Sequence, residues 1–140
     1  MSIRWRYLEY QFVVSPAEPT PLELLVHGIP AGVRIAQPRW RPAADVYESP
    51  TTITITVEAA GLDPDAIEVL VFEDAVVISG ERWLSPPDPE GHFHAAEIRQ
   101  GPFRLEVALP APVDPNRVDA RYELGLLRLT LGKRARGGTR

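Results

Sequence analysis

The sequence predicts an all-β fold: an antiparallel β-sandwich of two sheets, preceded by a mostly irregular N-terminal arm. Three observations predict it. Residues 51–60 alternate almost perfectly, with Ile53, Ile55, Val57 and Ala59 on one face and Thr52, Thr54, Thr56 and Glu58 on the other, the period of a half-buried strand. Short apolar runs of this kind, separated by turn residues, recur as far as residue 131. The third observation is proline. The chain has 15, concentrated in residues 16–50 and 86–115, and proline breaks helices and is confined to strand edges and turns.

The elements follow in order. In residues 1–14, Ile3, Trp5 and Tyr7 alternate with Arg4 and Arg6, while Trp5, Leu8 and Phe12 also fit a helical stripe. Both periods stay open there. Thr20-Pro21-Leu22-Glu23 has the form of an N-cap, a first-turn proline and a capping-box acid, and Gly28 is placed to end a short helix over 21–27. Pro30, Gly32, Pro38 and Pro42 make the next stretch extended or irregular. Residues 1–38 therefore read as an arm, 39–132 as the domain and 133–140 as a basic, solvated tail.

Within the domain, Gly61-Leu62-Asp63-Pro64-Asp65 is a turn. Residues 67–73 put Ile67, Val69 and Val71 on one face and Leu70 and Phe72 on the other, so this strand is apolar on both sides. Glu73-Asp74 makes a tight turn into Val76, Ile78 and Gly80. Ser85 to Gly91 is a proline-rich loop, and His92-Phe93-His94 with Ala96 to Ile98 reads as a short strand. Phe103, Leu105, Val107 and Leu109 form one apolar face; Val118, Ala120 and Tyr122 form another. Leu124-Gly125 turns the chain into Leu127, Leu129 and Leu131. A leucine does not tolerate the left-handed conformation, so a type II turn using Gly125 alone is expected.

At 140 residues the chain has the length of one domain, burying roughly 65–70% of its unfolded surface. Cysteine is absent, which excludes disulfide scaffolds and thiolate chemistry. The net charge of −4 argues against a nucleic-acid binder, which carries a basic face. No apolar run approaches the ~20 residues that span a bilayer. The first residues mix Arg4, Arg6 and Glu9 into an apolar stretch, unlike a signal peptide. A soluble cytoplasmic protein without membrane or nucleic-acid partners is expected. No catalytic, cofactor-binding or metal-binding set is predicted. Asp63 and Asp65 sit in a turn that favours Asp for local hydrogen bonds, and His92 and His94 lack a third ligand beyond Glu90 or Glu97.

Four segments carry a family likeness. Trp40-Arg41-Pro42-Ala43-Ala44-Asp45-Val46-Tyr47-Glu48 opens the domain, and Glu73-Asp74 to Ile78-Ser79-Gly80-Glu81-Arg82 forms a hairpin. Phe103 to Leu109-Pro110 has the shape F-x-R-x-F-x-L-P, and Ala120 to Leu124-Gly125-Leu126-Leu127 fits A-x-x-x-N-G-V-L. In this order and spacing, residues 40–131 resemble the α-crystallin domain of the small heat-shock proteins, an immunoglobulin-like sandwich. Leu105 and Leu124 depart from the usual arginine and asparagine.

The resemblance implies an ATP-independent holdase that binds partly unfolded clients and prevents their aggregation. It implies a strand-exchanged homodimer, possibly extended to small oligomers of dimers, in which residues 91–95 (His92, Phe93, His94) pair with residues 42–47 (Ala44, Val46, Tyr47) of a partner. The face of residues 67–73 is then either core or, with Val69, Val71, Ala120 and Tyr122, a groove receiving an apolar knob. The tail lacks the family's Ile-x-Ile docking motif. Val33-Arg34-Ile35 has the right shape to substitute, since Val33 and Ile35 share a side in an extended segment; packing on their own domain is the alternative. The aromatic arm, Trp5, Tyr7, Leu8, Tyr10, Phe12 and Val13, either folds on its own domain or contacts clients and neighbouring dimers. A monomeric co-chaperone or adaptor binding one folded partner is the rival reading.

Overall fold

The computed structural model describes residues 4–8, 29–30 and 40–135. The element order is β1 (Arg4–Leu8), β2 (Ile29–Pro30), β3 (Ala44–Glu48), β4 (Thr52–Glu58), a 3-10 turn (Pro64–Ala66), β5 (Glu68–Phe72), β6 (Ala75–Arg82), β7 (His92–Phe93), β8 (Gly101–Ala108), β9 (Val113–Glu123) and β10 (Leu126–Lys133). Two four-stranded sheets, ordered β1-β5-β6-β8 and β3-β4-β10-β9, form the sandwich, and β2-β7 is a separate ribbon. The described residues contain no α-helix. The expected helix over 21–27 and the Val33-Arg34-Ile35 segment lie outside the described residues, as do Tyr10, Phe12 and Val13.

Alternation decides which side chains go inside. Ile53, Ile55 and Val57 of β4 face Val69, Val71, Val76 and Ile78 of β5 and β6, and Phe103, Leu105 and Val107 of β8 join Leu127, Leu129 and Leu131 of β10 in the same cluster. Each such buried aliphatic side chain contributes about 1.5–3 kcal/mol of transfer free energy. No polar or charged residue is buried among the described ones, so the interior pays no desolvation penalty.

Trp40 closes one flank. Its Nε1 donates to Gly101 O at 3.1 Å, its backbone N–H donates to Pro102 O, and its carbonyl accepts from Arg104 N–H. Its ring lies 5.3 Å from Phe103. Trp40 thus pairs with the outer edge of β8, and the chain then enters β3. The β8 and β3 edges therefore share one flank, and β5 (with β1) and β9 share the other.

Four expectations change. The arm is not wholly separate from the sandwich: Arg4–Leu8 is a strand, resolving the ambiguous period, and it pairs with β5 in parallel, from Arg4 opposite Glu68 to Leu8 opposite Phe72. Within one chain the strand at 92–98 shrinks to His92–Phe93, the stretch that pairs among the described residues, with Ile29–Pro30. The last strand runs on through Lys133, whose N–H donates to Thr51 O at 2.9 Å, so the tail starts later than residue 133. Finally, Leu124 adopts φ +53° and Gly125 φ +75°. Glu123 pairs with Leu126, and a two-residue loop between twisted antiparallel strands favours positive φ at both central residues. Hairpin geometry overrides the preference of leucine.

Candidate functional site

The surfaces available for chemistry or binding are the edges of the sandwich and the long loop between β6 and β8. The β3 edge is set by its ladder with β4. Ser49 N–H donates to Thr52 O and Glu58 N–H donates to Ala43 O, and the intervening register runs Glu48–Ile53, Tyr47–Thr54, Val46–Ile55, Asp45–Thr56 and Ala44–Val57. Hydrogen-bonded and non-bonded pairs alternate in an antiparallel ladder. Asp45 and Tyr47 therefore spend their backbone groups on β4, while Ala44, Val46 and Glu48 turn theirs toward the open edge. Val46 and Tyr47 are 46% and 69% exposed. An edge of this kind is a template for another strand.

The loop over residues 83–100 is tied at its base. Arg82 Nε donates to Arg99 O at 2.9 Å and Nη1 to Ala60 O at 3.0 Å, while Cζ stands 4.3 Å from the centre of the Trp40 ring. Partial burial lowers the Arg82 pKa, opposed by the charges of Glu58 and Tyr122. Leu84 N–H donates to Gln100 Oε1 at 2.8 Å. Toward the tip, Asp88 accepts from Glu90 N–H and Gly91 N–H, leading into β7. The His92 and His94 rings lie 4.9 Å apart. Among the described residues no group of three or more His, Cys, Asp or Glu side chains is placed to hold a metal ion.

The four groove residues gather on the interior. Val69 and Val71 are fully buried members of the core, and Ala120 and Tyr122 pack against it from β9. The Tyr122 hydroxyl donates to Ala59 O at 2.6 Å. At this flank the edge of β5 is already taken by Arg4–Leu8. Asp63 Oδ1 accepts from Asp65 N–H at 3.0 Å, so Asp63 caps the 3-10 turn. Sequence reasoning missed three features: the parallel β1–β5 pairing, which no local pattern encodes, the Arg82 clamp on Trp40, and Val77. The uninterrupted run Val76-Val77-Ile78 was the available signal for the last.

The model of the Hsp20/alpha crystallin family matches residues 45–139. The chain belongs to this family. It is similar to heat shock protein 16 of Schizosaccharomyces pombe, 32% identical over 94 residues that make up 66% of each protein. It is also similar to small heat shock protein C2 of Rickettsia felis, 26% identical over 99 residues, 71% of this chain and 64% of that protein. The chain thus matches just under two thirds of the length of both relatives. Among solved structures, heat shock protein 16.0 from Schizosaccharomyces pombe superposes with a TM-score of 0.65 at 30% identity, covering 72% of each chain. No helix among the described residues is long and apolar enough to cross a membrane.

Proposed function

We propose that the chain is an ATP-independent holdase, working as a strand-exchanged dimer that binds partly unfolded proteins. The observation that carries this reading is β1. A short segment of an aromatic-rich arm adds to the edge of β5 by parallel backbone pairing. Strand addition of this type takes affinity from main-chain hydrogen bonds and tolerates many sequences. An edge that accepts Arg4–Leu8 can accept an extended client segment when the arm is displaced. Apolar burial then drives capture at roughly 25 cal/mol per Å², and no nucleotide enters the scheme.

The dimer rests on the two free backbone surfaces. The outward N–H and C=O groups of Ala44, Val46 and Glu48 face one way, and β7 uses one edge for Ile29–Pro30. In this reading the other edge of β7 pairs with β3 of the partner, bringing His92, Phe93 and His94 beside Ala44, Val46 and Tyr47. Small oligomers of such dimers would form through the arm. The test is light scattering from a thermolabile client on heating. Near-stoichiometric chain without ATP is expected to suppress aggregation; a need for ATP, or no suppression at several-fold excess, would overturn the holdase reading.

A further inference from the structure

The Arg82 guanidinium ties the end of β6 to three other stretches of chain. Nε donates to Arg99 O at 2.9 Å, where the long loop returns, and Nη1 donates to Ala60 O at 3.0 Å. The same group lies over Trp40, with Cζ 4.3 Å from the ring centre. Trp40 is fixed in turn. Its Nε1 donates to Gly101 O at 3.1 Å, and its backbone bonds to Pro102 and Arg104 of β8. Arg82 closes the β6–β8 ladder opposite Gly101, so it stands at the mouth of the loop over residues 83–100, which carries β7. Two of its contacts lead to β3. From Trp40 the chain runs into β3 at Ala44, and Ala60 follows β4, the strand on which β3 is hydrogen-bonded. Burial at this spot lowers the Arg82 pKa, so the arrangement is held against a desolvation cost.

We propose that Arg82 is a positioning residue of the dimer: it holds the loop that carries β7 and the strand β3 of one protomer in the relation that lets both be paired at once. The inference rests on the strand-exchanged dimer proposed for this chain. A two-fold interface is isologous, so the strand given by one protomer and the strand that accepts it recur in reverse. Two β7–β3 pairings must therefore close together. Once the first has formed, the second is intramolecular, and its strength follows the effective concentration of β7 at the partner's β3. That concentration depends on how firmly loop and acceptor strand are held to each other within each protomer. A loop released at its base spreads β7 over more positions, and ordering it again on association costs affinity. The task also selects the side chain. Two donors aimed at separate carbonyls, on a cation that lies over an indole ring, are met by a planar guanidinium and not by an ammonium.

The test follows the monomer–dimer step of the full chain on dilution, by sedimentation or mass photometry. Four proteins are compared: the wild type, Arg82→Lys, Arg82→Gln and Leu129→Val. Leu129 belongs to the core and not to the clamp, so Leu129→Val lowers the urea midpoint while leaving the base of the loop in place. Both Arg82 variants are expected to raise the dimer Kd roughly tenfold, equivalent to about 1.4 kcal/mol. Leu129→Val is expected to leave the Kd unchanged. Arg82→Lys keeps the aliphatic stem and the charge, so it carries the test should Arg82→Gln fail to fold. An unchanged Kd in both Arg82 variants overturns the inference while the dimer itself stands. An equal rise in Leu129→Val also overturns it, because the effect is then one of general stability. A rise in Arg82→Gln alone assigns the effect to charge and overturns the positioning role of the guanidinium. A wild type that stays monomeric at every concentration overturns the dimer reading, and the inference falls with it.

Discussion

Leu124 is the residue at which the fold pays most visibly for its geometry. It sits at φ +53°, a region in which an L-residue other than glycine loses roughly 1–2 kcal/mol. Its side chain is 94% exposed, so no packing offsets the strain and none is lost on substitution. Asparagine adopts this conformation readily, because its short polar side chain bonds locally. Leu124→Asn is therefore expected to stabilise the domain by about 0.5–1 kcal/mol, part of the stored strain. At about 4–8 °C per kcal/mol for a domain of this size, the midpoint rises by roughly 2–8 °C. Leu124→Val is the opposing control, since a β-branched residue is a genuine outlier at positive φ; about 1 kcal/mol should be lost. The assay is urea and thermal unfolding at one fixed protein concentration, because association adds stability by mass action. Equal stability of all three proteins would refute the argument, since it would mean that Leu124 stores no strain.

Three further outcomes are expected. A Cβ at Gly80 would stand 2.9 Å from two atoms of the Phe103 ring, which is itself held against Trp40, so Gly80→Ala should cost about 1–3 kcal/mol, read as a lower urea midpoint. Val46→Pro removes a donor aimed at the open edge rather than at β4, so the solution mass should fall toward a monomer while the far-ultraviolet spectrum of the sandwich persists; a wild type already monomeric would end the dimer scheme. Arg82→Lys loses the planar fork that reaches Arg99 O and Ala60 O while lying over Trp40, so amide exchange at Leu84 and Gln100 should quicken, and unchanged exchange would show that the loop base is held by other contacts.

Strands β4, β5, β6, β8, β9 and β10 were legible because each is specified by its own neighbours. The Thr-Ile alternation of β4 and the leucines of β10 state face and period within a few residues, and the register follows from which face must be buried. The Leu124-Gly125 turn was legible in place but not in type. Residue preference pointed to one positive φ, whereas the length of the connection, which becomes definite only once Glu123 and Leu126 are paired, requires two. The strand at 92–98 was legible only in part within one chain. Its alternation was adequate, but a strand is assigned only where a backbone partner is in reach, and among the described residues His92 and Phe93 have one in Ile29–Pro30.

The same distinction explains why the candidate surfaces were harder to read than the core. A core residue is recognised by its own side chain; an edge is defined by which neighbour is missing. Val69 and Val71 carry the side chains of a groove wall, yet alternation sends them wholly inside, and the surface that β5 offers is its backbone edge and its outer face. The edge is filled by Arg4–Leu8, a pairing between residues more than sixty positions apart that no local period announces. The outer face was visible in outline, because Leu70 and Phe72 break the polar side of the strand. What completes it is Val77, supplied by the next strand through the β5–β6 register. Apolar side chains on both faces of a strand thus say that it is covered twice. For β5 the first cover is the opposing sheet, and Phe72, only 2% exposed, is covered on the other side as well.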